Sequence, residues 1–537
     1  MRDPFPGILD DPKAVAAALA LDGASKDEAQ TVDTLRASVD TWAGRDVDTE
    51  AIDEKHEIPE AVYGSAAELG LFGLTVPEAY GGAGLSIGAA CRVIDTIAVH
   101  DRSVATAIGL HGGLGLRGLV HLGSEPLKEA LLPPLAAGDK IAAFAATEPG
   151  AGSHIAAVAS TAKPVDDGLV LNGSKVFVTN GGRADIYTIL ARTPGLGGAR
   201  RGHSLLVLDR TMPGFVVGAE EHKLGLRGTS TVALAFDDVR VPMERVLGEP
   251  GKGLDDLAGI LAWGRTLMSA GCVGTARAAR DLALAHVTTR RQFGKPLSAF
   301  GQVRAHVAQM TSRLFAMDAV VRLTGVLAGD GEGDIEWASA ATKILASEGV
   351  WKVADTALQL HGGSGYIEDT GVARILRDSR ITRIFEGANE VLRLHVAMGG
   401  AAFEGFANGP VELAPSVAED LVGVARRFDG LHARVRDVLA ALRDAYGFRL
   451  HEHQLVLAGA ADALAGLFAL ASVVLRAEGL LALDEAPPGR LLRLVGFTAE
   501  TLAREIEEAL GRIYLADEEA LVAAVSDDAY AVAEARG

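Results

Sequence analysis

Between Lys140 and Leu247 the sequence changes period twice, and that change limits the folds open to the chain. KIAAFAATEP, LVLNGSKVFVTN, DIYTILART, HSLLVLDR, GFVVG and STVALAFDDVRV are short, β-rich segments. Turn residues separate them at the spacing of an all-β barrel or sandwich. On both sides apolar residues return at three- and four-residue intervals, the mark of amphipathic helices. The pattern predicts helices over 27–138, a β domain over 139–247, helices again over 252–400 and a last helical block over 417–537. GEPGKG (Gly248–Gly253) and FANGPVELAPS (Phe406–Ser416) read as the connecting loops. Helices, then strands, then helices twice is the order of an α+β protein with segregated domains. At 537 residues the chain can bury a large core.

The formal charge of −19 argues against nucleic acid or an anionic membrane as the main partner, since both require basic surfaces. An anionic small molecule needs only a locally positive pocket. The two cysteines, Cys91 and Cys272, lack metal-ligand spacing, and no metal site is expected. Such sparse cysteine usage fits a reducing cytoplasm. MRDPFPGILDDPKAV has no apolar signal core. The longest apolar stretch, Leu455 to Gly479, contains Asp462 and many alanines, so it reads as a buried or amphipathic helix. No stable membrane attachment is expected.

The chemistry is concentrated in four segments. QLHGGSGYIEDTGVARILRDSRITRIFEGANEVLR (Gln359–Arg393) opens on Gly362, Gly363 and Gly365, whose backbone can approach a ligand closely. It then breaks its helical pattern at Phe385-Glu386-Gly387. A carboxylate beside an aromatic ring and a flexible glycine suits a general base whose pKa burial raises. An ordinary helix-terminal glutamate has the same local sequence. TEPGAGSH (Thr147–His154) and VFVTNGG (Val176–Gly182) are loops rich in amides and hydroxyls that can donate to a polar ring edge or pyrophosphate. Phe177 there can lie against a planar ring. In TTRRQFGKPLSAFGQV, Arg290 can pair with phosphate and Phe293 can pack on adenine, beside Gln292. SVATAIGLHGGLGLRGLVHLG carries Gly109, Gly112, Gly113 and Gly115, read either as close helix packing or as room for a channel.

Taken together and in this order, LFGLTVPEAYGG, AFAATEPGAGS, LNGSKVFVTNGG, FDDVRVP, RRQFGKPL, QLHGGSGY and RIFEGANEVLRL closely resemble the acyl-CoA dehydrogenase family. The resemblance covers roughly Glu54 to Met398. SEGVWKVAD, IFEGANEVLRLHVA and the extra C-terminal block make it most similar to the very-long-chain branch. It implies an N-terminal helical domain, a middle β-barrel domain, a C-terminal four-helix bundle and an additional helical domain. It also implies FAD as cofactor. Phe144, Thr147, Gly152 and Ser153 would line one side of the flavin, and Phe177, Val178 and Thr179 the other, with Ala388 and Glu390 nearby. Arg290, Gln292, Phe293, Gln359, Gly362 and Gly363 would hold the ADP half of the FAD of a neighbouring subunit. Arg265, Ser153 and the Gly387 amide would meet the substrate, and Glu386 would be the catalytic base. Phe177 stands where the family has tryptophan, His154 where it has aspartate, and Ala388 where it has threonine.

What the resemblance implies is α,β-dehydrogenation of a long-chain acyl-CoA in fatty acid β-oxidation, with electrons passing to an electron-transfer flavoprotein. A homodimer is expected, because the C-terminal block would occupy the place of a second dimer. An acyl-CoA oxidase of the same fold and a non-catalytic scaffold are the alternatives.

Overall fold

In the computed structural model, residues 11–20, 26–198, 200–329, 333–402, 412–483, 487–513, 522–527 and 529–530 are described. Much of the loop expected at Phe406–Ser416, and most of the N-terminal MRDPFPGILDDPKAV segment, lie outside the described residues. The chain forms two compact units, Leu21–Ala388 and Met1–Ala20 together with Asn389–Gly537. The smaller unit opens with helix α1 (Pro12–Ala20) and resumes after residue 388.

The larger unit begins with α2 (Lys26–Asp46), α3 (Thr49–Lys55), α4 (Glu60–Glu68), α5 (Ile87–His100), α6 (Arg102–Leu110), α7 (Leu116–Leu122) and α8 (Glu125–Ala136). Local chemistry sets these boundaries. Ser86 Oγ accepts from Ala89 N at the start of α5, and Asp101 accepts from Val104 N at 2.8 Å at the start of α6. Between α6 and α7 the helix widens into a π turn, His111–Gly115. Its His111 Nδ1 accepts from Ala142 N at 3.0 Å, which fastens the helical layer to the first strand.

The strands are β1 (Ala142–Ala145), β2 (Thr161–Val165), β3 (Gly168–Thr179), β4 (Ile186–Arg192), β5 (His203–Asp209), β6 (Phe215–Glu220), β7 (Thr231–Val241) and β8 (Val246–Leu247). They form one mixed sheet in the order β6-β7-β3-β2-β4-β5-β8, with β1 alongside β4 in parallel. β4 is central and its residues Ile186–Ala191 are all buried, so IYTILA is largely apolar instead of alternating, and Thr188 donates to the Gly115 carbonyl. β6 lies at an edge and alternates between half-buried and exposed along its first four residues.

Three long helices follow: α9 (Gly253–Thr289), α10 (Gly301–Ala328) and α11 (Glu336–His361), then the short α12 (Val372–Arg380). A small hairpin, β9 (Arg291–Gln292) with β10 (Lys295–Pro296), joins α9 to α10. α9 packs against α11 and α5, and the buried faces of these helices supply much of the core.

The smaller unit adds α13 (Asn389–Ala402), α14 (Val422–Tyr446), α15 (Gln454–Ala482) and α16 (Pro488–Ile513). α13, which the sequence reading placed in the 252–400 block, packs on α15 within this unit, as does α1. α15 is long and apolar enough to cross a membrane by length and composition, but 89% of its apolar window is buried inside the structure. It is the core helix of its unit. Of its two acids, Asp462 pairs with Arg393 and Arg512, and Glu478 accepts from the Ala418 amide.

Candidate active site

The two flavin-type loops are joined by the backbone. β1 runs into Thr147-Glu148, where Glu148 and Ala151 close a tight bridge. The Val176 amide then donates to the Thr147 carbonyl at 3.0 Å, setting TEPGAGS beside VFVTN. Beneath them lies a buried ion pair, Lys175 Nζ to Glu148 Oε1 at 2.8 Å. Glu148 also accepts from the Ser160 amide, and Lys175 donates to the Ala146 carbonyl at 2.9 Å. Both charges are therefore compensated by further hydrogen bonds, as a buried pair requires.

Above this support, Phe177 adopts φ 58° at a shift in strand register and is 68% exposed. A left-handed backbone at a bulky residue is uncommon, and here it turns an aromatic ring outward. Phe144 and Thr147 are half-buried, Gly152 and Ser153 exposed, and Val178 buried. Thr179 Oγ1 has only a long contact, 3.5 Å, to Thr231 Oγ1. An outward aromatic ring, an available hydroxyl and an amide-rich loop on a rigid base fit a planar, hydrogen-bonding cofactor such as FAD. Asn180 Nδ2 donates to the Ala107 carbonyl at 2.9 Å and so connects this platform to α6.

α6 forms one wall of a cavity that holds Glu386. Ile94, Ala105, Gly109, Leu110, Leu267, Met268 and Phe385 are among its lining residues, and it is narrow, with a volume of about 20 Å³. The chain reaches Glu386 by leaving α12 through a 3-10 turn (Ile381–Arg383) and then entering left-handed backbone at Glu386 (φ 57°) and Gly387 (φ 100°). Two cations fasten this bend through its carbonyls. Arg265 Nε donates to the Glu386 carbonyl at 3.1 Å, and Lys343 Nζ donates to the Gly387 carbonyl at 2.7 Å.

Although the Glu386 residue as a whole is partly exposed, both of its carboxylate oxygens are enclosed and have no hydrogen-bond partner. Burial pushes the carboxyl pKa up to about 7, with Arg265, Lys343 and Arg102 pulling it back down. Burial likewise lowers the Lys343 pKa, against the attraction of Glu386. Gly264 lies directly under the carboxylate: a Cβ there would stand 2.7 Å from Glu386 Oε2.

The remaining assigned residues are elsewhere. Arg290, Gln292 and Phe293 sit beyond the C-terminal end of α9, all exposed, with Phe293 at 91%. Gln359, Gly362 and Gly363, also exposed, close α11 beside them, where the His286 and His361 rings stack at 4.4 Å. Arg290 is 25 positions beyond Arg265, roughly 38 Å along a straight helix. A single subunit thus separates this cluster from Glu386. Ala388, half-buried, ends the larger unit, and Glu390 is exposed on α13 of the smaller one.

Of the four glycines at α6 and the π turn, Gly109 lines the cavity. Gly115 would press a Cβ to 2.8 Å from Ala142, and Gly113 one to 3.1 Å from Leu267, so these two serve close packing. Sequence reasoning missed Glu148, Lys175, Gly264 and Lys343. A lysine within the apolar run SAATKILASEG was the one legible signal, since a lysine on a buried helix face needs a partner.

Comparison with known proteins gives the family. Three family profiles, described as the N-terminal, middle and C-terminal domains of acyl-CoA dehydrogenase, match residues 29–139, 143–239 and 251–401. The chain belongs to the acyl-CoA dehydrogenase family. Among its relatives, the mitochondrial very long-chain specific acyl-CoA dehydrogenase of Homo sapiens is 38% identical over 354 residues, 65% of this chain and 54% of that protein. The match therefore spans about half the length of that relative. The probable acyl-CoA dehydrogenase fadE25 of Mycobacterium leprae is 37% identical over 67% of this chain and 92% of its own length. An acyl-CoA dehydrogenase from Bacillus anthracis, solved in complex with FAD, superposes with a TM-score of 0.82 at 27% identity, covering 92% of this chain and 90% of that one. That similarity takes in the smaller unit as well.

Proposed function

We propose that this protein is an FAD-dependent acyl-CoA dehydrogenase in which Glu386 removes the α-proton of an acyl-CoA thioester. The single observation that carries this reading is the enclosed, partnerless Glu386 carboxylate, held on a bend whose two carbonyls are fixed by cations. Phe144, Thr147, Gly152, Ser153, Phe177, Val178 and Thr179 would hold the flavin. When bound, FAD supplies the two-electron acceptor for the hydrogen that leaves the β-carbon.

The chain's own groups have separate tasks. The Gly387 amide is assigned to the thioester carbonyl, where a fixed donor stabilises negative charge as the α-proton leaves. Lys343 and Arg265 hold the bend, so that the base needs no rearrangement to reach its proton. Burial brings the base closer in pKa to a weakly acidic C–H. Reoxidation by an electron-transfer flavoprotein completes the reading, and a fatty-acid substrate accords with the names of the relatives. The long-chain expectation retains Gly109 and those names in its support. Cys91 and Cys272 are free and buried, which supports a reducing compartment such as the cytoplasm.

The test is anaerobic addition of acyl-CoA to the purified holoprotein. Bleaching of the flavin is expected, and its absence with every acyl-CoA would reject the reading. Slow reoxidation in air separates a dehydrogenase from an oxidase. Only the ionised carboxylate accepts a proton, so the rate should rise with pH and level off above about 7, the raised pKa of Glu386. A rate independent of pH from 5 to 8 would remove the carboxylate from the rate-determining step.

We also propose a homodimer that shares the cofactor. The exposed cluster of Arg290, Gln292, Phe293, Gln359, Gly362 and Gly363 is too far from Glu386 to serve the same FAD within one subunit. Light scattering on the holoprotein should give a dimer, and Arg290→Glu should loosen FAD. A monomer with a full complement of FAD would contradict the shared site.

A further inference from the structure

The ends of α9 and α11 meet at two histidine rings. His286 on α9 and His361 on α11 stack with centroids 4.4 Å apart and planes 29° from parallel. His361 is buried and His286 half-buried. His361 Nδ1 lies 2.8 Å from the Ala357 carbonyl, which can only accept, so that nitrogen carries a proton. Each ring stands at the root of a segment assigned above to the ADP half of FAD. The Arg290 amide donates to the His286 carbonyl at 2.8 Å. Gly362 follows His361 directly, in left-handed backbone at φ 61°, and the His361 carbonyl accepts from Ser364 Oγ at 2.8 Å. The stack therefore sets the spacing between the arginine and the glycine turn.

The surroundings of the pair favour neutral rings. A helix C-terminus ordinarily stabilises a histidine cation. Here burial outweighs that, and His361 and Arg290 add like charge, so the His286 pKa lies below its ordinary value. Among the described residues, no carboxylate acts on His286. Other cations nearby in the chain are engaged elsewhere. Arg291 donates to the Gly294 carbonyl at 2.8 Å, Lys295 lies over the Phe300 ring at 4.2 Å, and Arg304 on α10 donates to the Ser298 carbonyl at 2.9 Å. Among the acids of the same segments, Asp281 pairs with Arg280, Glu368 pairs with Arg377, and Asp355 is exposed. Two imidazolium rings stacked beside a guanidinium repel one another, whereas two neutral rings do not.

We propose that the His286–His361 pair is an acid-sensitive joint, in which protonation drives the ends of α9 and α11 apart and releases the ADP half of FAD. This rests on the reading of Arg290, Gln359, Gly362 and Gly363 as the site for that half. Both histidines are positioning residues, and neither touches the reacting atoms.

The test is the FAD dissociation constant of the full chain, read by flavin fluorescence from pH 7.5 to 5 wherever circular dichroism shows the fold intact. An unperturbed histidine titrates near pH 6.5, so below about 6.5 the affinity should fall about 10-fold per pH unit for each proton taken up. His286→Phe combined with His361→Phe keeps two stacked rings without the titration, and its affinity should be level over the same range. Each single phenylalanine variant should give a shallower slope than the parent. A level parent profile would overturn the proposal. So would affinity that rises on acidification, the result expected if the pyrophosphate simply attracts the new charge. A double variant with the parent's slope would overturn it as well. Should the double variant fail to fold, judged by melting temperature, the single variants decide, and slopes equal to the parent's reject the joint. Arg290→Glu separates this proposal from the shared-site reading. If it loosens FAD at pH 7.5 while the parent profile is level, the shared site stands and the joint falls. If it leaves FAD affinity unchanged at every pH, the reading on which the joint rests falls, and the joint with it.

Discussion

Glu386→Gln is expected to keep FAD and bind acyl-CoA, yet reduce the flavin about 100- to 10,000-fold more slowly, the usual contribution of a positioned base. The amide fills the same space beside Gly264, so the cavity keeps its shape. It cannot take up the α-proton. Stopped-flow bleaching at saturating acyl-CoA measures the effect directly, and a near-normal rate would exclude Glu386 as the base. Binding should tighten or stay level, because replacing a buried carboxyl by a neutral group removes a desolvation cost.

Lys343→Met is expected to be the next most damaging change, slowing reduction by about 10- to 100-fold. Methionine occupies a similar volume but leaves the half-buried Gly387 carbonyl without its 2.7 Å donor, a loss of about 1–3 kcal/mol. The bend carrying the base then loses one of its two fastenings. A purely structural lysine would change stability alone. A positioning lysine should also shift the pH limb, and the direction follows from charge. Lys343 favours the ionised form of Glu386, so its removal raises that pKa and moves the limb above about 7. An unshifted limb with an unchanged rate would show that Arg265 is sufficient to hold the bend.

The fold was legible because its period changes are abrupt and its turn residues frequent. The β block between Lys140 and Leu247 reads directly from short apolar runs, and the structure places eight strands within it. Glu386 was legible because Phe-Glu-Gly interrupts a helical pattern. The neighbours that hold its bend were not. Lys343 lies 43 positions earlier and Arg265 a further 78, so their convergence depends on how α9 and α11 pack, which no local pattern encodes. Gly264 and Gly271 are ordinary helix glycines in sequence. Their meaning appears only when Glu386 Oε2 and Arg102 Nη1 are seen in the space a side chain would fill. The glycines before α7 were open to both readings in sequence, and the structure divides them: Gly113 and Gly115 are packing contacts and Gly109 lines the cavity.

α9 carries four of these contacts in eight residues: Gly264 beneath the carboxylate, Arg265 on its carbonyl, Met268 accepting from Arg102, and Gly271 admitting that guanidinium. Each residue of an α-helix turns by about 100°, so these positions work only while their phase is kept. A substitution at one of them disturbs one contact. A single-residue insertion between Gly264 and Gly271 would rotate one half of the set against the other and disengage several contacts at once. This stretch of the gene should therefore tolerate changes of letter far better than changes of length, even though both lie inside an uninterrupted helix.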